Sequence, residues 1–159
     1  RYLLRTGSAL PAQRRLMTRS LAKLKVLVVD DNTHMTKIIK TIMRGFEVKD
    51  IFDADNSEDA FDIVRNTPVD LIITEYLLSD TMNGLDFLRQ AQTVRPEALR
   101  IMLVGHADLD IAVAAINEGA VYRFVLKPWD AFNLRVMIKL SLRHLDSLRA
   151  TERLAQPRP

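Results

Sequence analysis

Five short apolar runs punctuate the chain, and between them apolar residues recur every three to four positions. The run Val69-Asp70-Leu71-Ile72-Ile73-Thr74-Glu75-Tyr76 is rich in β-branched residues, follows Pro68 and ends in an acid. A short apolar run of that kind suits a strand buried on both faces, as in a parallel sheet. Lys25–Val29 reads the same way and ends in Asp30-Asp31; a run over 121–126 ends in Lys127-Pro128. Weaker runs near 48–52 and 100–104 complete a set of five strands.

The segments between them carry helical periodicity and helix punctuation. After the first strand, Asn32 or Thr33 can cap a helix whose face is Met35, Ile38, Ile39, Ile42 and Met43, with Gly45 as its end. Asn56-Ser57 caps a second helix with Glu58 and Asp59 in its first turn and Ala60, Phe61 and Val64 inward. A loop over 76–83 precedes a third helix, 84–94. Asp108 starts a fourth, with Ile111, Ala112, Ala115 and Ile116 on one side and Gly119 closing it. The last runs from Asp130 to about Leu154 through Leu134, Ile138, Leu142, Leu145 and Leu148.

Strict alternation of strand and helix predicts an α/β fold: a flavodoxin-like, doubly wound (βα)5 unit with a five-stranded parallel sheet and right-handed crossovers. The strand order expected at this size is 2-1-3-4-5. Strands 1 and 3 then flank the switch point, so Asp30, Asp31 and Glu75 converge at one sheet edge, with Lys127 at a nearby strand end. Three carboxylates in a small space repel one another, and a hard cation such as Mg²⁺ or a neighbouring amine relieves them. Singly, each acid reads as a helix cap; jointly, they read as a site.

Charge refines the domain boundaries. Residues 1–25 hold seven Lys/Arg and no acid, whereas 26–129 hold ten basic and seventeen acidic residues. The net charge of +3 therefore comes from the ends, and an acidic centre argues against nucleic acid as a partner. The reading is a flexible basic extension over 1–24, of which the first 16 residues are dispensable, a domain over 25–154 and a tail over 155–159. With no cysteine, disulfides, thiolate metal sites and thiol catalysis are excluded. No apolar run approaches the roughly 20 residues that span a bilayer, which makes the cytoplasm the expected location.

Other chemistry finds little footing. His34, His106 and His144 fall on separate elements without metal-ligand spacing. Neither a G-x-G-x-x-G sequence nor a P-loop is present, so no nucleotide cofactor is expected. No Ser or Thr sits in a nucleophile elbow, and an enzyme on this fold is the weakest reading.

Val28-Val29-Asp30-Asp31-Asn32, the central strand ending in Glu75-Tyr76, Met82-Asn83-Gly84-Leu85, Gly105-His106-Ala107-Asp108 and Val125-Leu126-Lys127-Pro128-Trp129 together resemble the receiver domain of bacterial two-component response regulators. The resemblance covers about four-fifths of the chain. It implies that Asp30 and Asp31 help hold Mg²⁺, joined by the backbone carbonyl of Leu77, and that the acid at position 75 accepts a phosphoryl group from a histidine kinase. It further implies that Lys127 contacts that group across a cis bond to Pro128, and that positions 104 and 124 switch with it. Partners would be a histidine kinase or a downstream effector, docking through the fourth helix, fifth strand and last helix, or a second copy of the chain. Trp129 would pack beside the site or against the last helix's start.

The chain departs from that pattern where phosphate chemistry is decided. Glu75 stands in place of the acceptor Asp, and Val104 in place of a Ser or Thr hydroxyl. The loop after Glu75 is one residue longer, with Ser79 replacing a frequent Pro. The added methylene moves a carboxylate by roughly 1.5 Å, and about 1 Å of misplacement can lower a transfer rate about a hundredfold. Three readings follow: Glu75 pairs with Lys127 or a metal and fixes one state; the site has decayed to a scaffold; or phosphorylation persists at Glu75 or Asp80. The first is the reading carried forward, with a conventional phosphoacceptor detached from its output domain as the alternative.

Overall fold

The computed structural model describes residues 21–79 and 82–155, and Asp80 therefore lies outside the described residues. In chain order the elements are β1 (Lys25–Val29), α1 (Thr33–Gly45), β2 (Asp50–Ala54), α2 (Ser57–Asn66), β3 (Leu71–Glu75), α3 (Gly84–Val94), β4 (Leu99–Gly105), α4 (Leu109–Asn117), β5 (Arg123–Lys127) and α5 (Ala131–Ala155). A 3₁₀ turn, His106–Asp108, leads into α4. All strand pairs are parallel and the sheet order is β2-β1-β3-β4-β5, as expected.

Alternation along each strand divides the core in two. Leu27, Val29, Ile72, Met102 and Val104 face α2, α3 and α4, where Val64, Phe87, Leu88 and Ala112 meet them. Val26, Val28, Ile73, Ile101 and Leu103 face α1 and α5, where Ile39, Met43, Leu134, Ile138 and Leu142 close the opposite layer. β3 is buried at all five positions, as its unbroken apolar character requires of a central strand.

Several boundaries differ from the sequence reading for local reasons. β2 begins at Asp50 rather than near Val48 because α1 runs into a left-handed C-terminal turn. Glu47 takes φ 67°, its amide bonds to the Arg44 carbonyl at 2.9 Å, and the Val48 amide bonds to the Met43 carbonyl at 3.2 Å. Val48 thus closes the helix, and Gly45 is its last helical residue. On α4 only Ala112 and Ala115 reach the core, whereas Ile111 and Ile116 are each 37% exposed. Small residues lie against the sheet there, and the larger ones flank them.

At the start, Leu21 and Leu24 are buried against the α1/α5 layer, so packing reaches into the stretch expected to be flexible. At the other end α5 is 25 residues long. That is about 37 Å of helix beside strands of about 17 Å, so it overruns the sheet. Leu145 is buried while Leu148, expected in the same ridge, is 43% exposed. The overrun is tied down by Arg149, whose Nη2 donates to Asp70 Oδ1 at 2.6 Å.

Candidate functional site

The carboxyl ends of β1, β3 and β5 gather four side chains of the expected cluster around one edge. Asp30 follows β1, its amide donating to the Ala54 carbonyl at 3.1 Å. The side chain is buried. Oδ1 accepts the Asn32 amide at 2.8 Å, while Oδ2 is buried without a partner. Asn32 serves twice, because its own Oδ1 caps α1 through the amides of His34 and Met35. Sequence reasoning identified that cap but not the hold on Asp30; a D-x-N turn ahead of a helix was the available signal. Asp31 is exposed.

Glu75 ends β3 and is 5% exposed. Its Oε2 forms an ion pair with Lys127 Nζ, and its Oε1 accepts the Leu77 amide at 3.4 Å. Since β4 separates β3 from β5, the Lys127 side chain reaches across the end of β4 to make this pair. The peptide between Lys127 and Pro128 is cis.

Burial pushes both carboxyls upward. For Glu75 desolvation is the largest influence, opposed by the hydrogen bond and charge of Lys127 and reinforced by the charge of Asp30. For Asp30 desolvation again leads, opposed by the Asn32 amide and Lys127. One ammonium therefore serves two buried acids, and the pair it closes is with Glu75.

Val104 is fully buried in the layer shared with Met102 and Ala112, and half-buried Phe124 packs against the same cluster. A valine there supplies methyl groups and no donor. The hydroxyl of Thr74 is already committed to the Glu75 carbonyl at 3.0 Å. Trp129 packs instead against the α1/α5 layer.

The loop after Glu75 is closed by Gly84, whose role sequence reasoning did not anticipate. Its amide bonds to the Tyr76 carbonyl at 2.7 Å, and a Cβ at this position would lie 2.0 Å from the Glu75 carbonyl oxygen. Only glycine lets α3 start this close to the strand that carries the acid. Asn83 then caps α3 through the Asp86 amide at 2.8 Å.

Magnesium, implied by the resemblance, is not well matched by this arrangement. Asp30 Oδ2 is free to take a cation, but Glu75 is engaged by Lys127 and Asp31 is exposed. Among the described residues no group of three His, Cys, Asp or Glu is arranged to hold a metal ion. No described helix is long and apolar enough to cross a membrane.

Comparison with known proteins agrees with this fold. The response regulator receiver domain model matches residues 26–139. The hydrogenase transcriptional regulatory protein HoxA of Cupriavidus necator is 31% identical over 65% of this chain and 21% of its own length. The nitrogen assimilation regulatory protein NtrX of Azorhizobium caulinodans is 29% identical over 82% of this chain and 29% of its own. The chain thus spans less than a third of these relatives. A response regulator receiver domain structure from Clostridium thermocellum superposes with a TM-score of 0.68 at 28% identity, covering 79% of this chain and 98% of that one. The βα alternation, the sheet order, the acid–lysine cluster at the strand ends and these matches have one reading: the chain belongs to the response regulator receiver domain family of two-component signalling.

Proposed function

We infer that this receiver signals without phosphorylation at its usual position, its state being set by the Glu75–Lys127 ion pair. The observation that carries this reading is the pair itself: Lys127 Nζ sits on the Glu75 carboxylate. A conventional receiver would bring that amine to a phosphoryl group. The longer Glu side chain carries its negative charge towards the same place, and Val104 removes the hydroxyl that a phosphoryl oxygen would need. Loss of acceptor and loss of donor are chemically consistent, since an unused buried hydroxyl would require another acceptor.

The output is protein–protein contact in the cytoplasm, with a histidine kinase or a downstream effector as partner. Ile111 and Val113 on α4 and Tyr122 before β5 are exposed, which suits contact through α4, β5 and α5, with a second copy of the chain as another occupant of that face. The domain's acidic residues disfavour nucleic acid. One observation favours the conventional alternative: the unpartnered Oδ2 of Asp30 could accept a cation in a working phosphoacceptor. The two readings separate in the double variant Glu75→Asp with Val104→Thr. It should gain an acetyl phosphate-dependent, alkali-labile modification absent from the native chain; equal labelling of both proteins would refute the inference.

A further inference from the structure

At the opposite edge of the sheet from Glu75, a cleft of about 480 Å³ opens between the starts of β4 and β5 and the overrunning turns of α5. Leu99, Val121 and Leu145 give it an apolar floor, and half-exposed Leu148 stands at its side. Tyr122 lines it and stacks on His144, with ring centroids 4.6 Å apart and planes within 6°.

Its wall also holds Arg100, a strand residue that is 9% exposed. The guanidinium staples two turns. Nε donates to the Ala120 carbonyl at 2.8 Å, Nη1 to Ala98 at 2.9 Å and Pro96 at 3.4 Å, and Nη2 to Gly119 at 3.1 Å. Every one of these partners is a neutral carbonyl. Among the described residues no carboxylate lies within ion-pair distance of Arg100, whereas Arg149 beside it pairs with both Asp70 and Glu152. A buried cation balanced only by dipoles is costly. Desolvation acts on it accordingly, holding the guanidinium below its ordinary value.

We propose that this cleft binds a small organic anion, its charged head on the Arg100 side and its apolar or aromatic body on the Leu99–Val121–Leu145 floor. The volume falls in the range of ligand pockets, roughly 300–1,000 Å³, and one Arg100 N–H remains uncommitted under the contacts above. Glu97 and Glu152 line the cleft as well. Both are exposed, and Glu152 shares Arg149 with Asp70, so in water they oppose an anion less than the buried guanidinium favours it. The site is separate from the acidic pocket and independent of how Glu75 is used.

The test is an NMR titration of the full chain with sodium benzoate, following the Arg100 Nε–H and the Tyr122 ring signals. Benzyl alcohol serves as the uncharged analogue and benzylamine as the cation. Benzoate should give saturable shifts at both residues, with benzyl alcohol about tenfold or more weaker and benzylamine silent. Arg100→Met should remove the preference for benzoate. Because that change also unpins two turns, Leu148→Trp provides a second variant, crowding the cleft while leaving the guanidinium in place; it should weaken benzoate about tenfold or more. Equal binding of benzoate and benzyl alcohol, no saturable shift with benzoate, or full benzoate binding by Leu148→Trp would each overturn the proposal.

Discussion

Lys127, at the end of β5, reaches across β4 to form an ion pair with Glu75, at the end of β3. The contact joins two strands that are not neighbours in the sheet, over the end of the strand that carries Val104. It also leaves the second buried acid, Asp30, with one oxygen satisfied by Asn32 and the other free. The pair therefore has both a structural and an electrostatic role.

Removing the ammonium exposes that double role. Lys127→Met should destabilise the domain by about 1–3 kcal/mol, because Glu75 is left buried without its cation. The Lys127 side chain is 35% exposed, which keeps the effect below that of a fully buried pair. Adding Glu75→Gln should recover most of the loss. Urea unfolding of the four proteins in a double-mutant cycle measures the coupling.

Acidity should report the same pocket. The carboxyls of Glu75 and Asp30 are both held above their ordinary values by burial. Their contribution to stability is therefore fully present below the unfolded-state values and lost as pH rises through the raised folded-state values. Glu75→Gln should flatten the fall in stability as pH rises above the ordinary carboxylate range, relative to the native chain. An unchanged slope would place the shifted group elsewhere.

Gly84→Ala should act through backbone collision. The new Cβ would meet the Glu75 carbonyl at 2.0 Å, so α3 or the end of β3 must move. A loss of about 1–3 kcal/mol or more is expected, read as a lower thermal midpoint. A change of the same kind at Gly45, where nothing lies within 4 Å of the added atom, should be tolerated.

Much of the fold is legible in the sequence. β3 reads as a buried central strand because apolar β-branched residues occupy both of its faces, and the helix caps at Asn32 and Asn56 follow from short polar side chains placed before periodic runs. Glu75 and Lys127 were nameable from strand ends alone. What escaped depended on geometry that residue types do not encode. Glu47 adopts the left-handed turn that glycine would ordinarily take, Arg100 is held by carbonyls of two loops, one of them 20 residues from it in sequence, and Arg149 meets Asp70 across 79 residues. The exposure of Ile111 and Ile116 also follows from which side of a short helix meets the sheet, and their apolar character misplaced them.

The Asp70 contact yields a prediction of its own. Asp70 Oδ2 accepts the Lys25 amide at 2.9 Å while Oδ1 holds Arg149, so one carboxylate ties β1 and β3 to the overrunning helix. Arg149→Ala should leave global stability within about 1 kcal/mol, because the pair is partly exposed. It should raise amide hydrogen exchange selectively over residues 149–155, where the last turns lose their anchor.

The central claim is that Glu75 and Val104 have taken this receiver out of phosphoryl transfer. Intact-mass measurement after incubation with acetyl phosphate and Mg²⁺ tests it most directly, with an alkali wash to discharge any acyl phosphate. The account predicts an unchanged mass; an alkali-labile gain of one phosphoryl group on the native chain would contradict it.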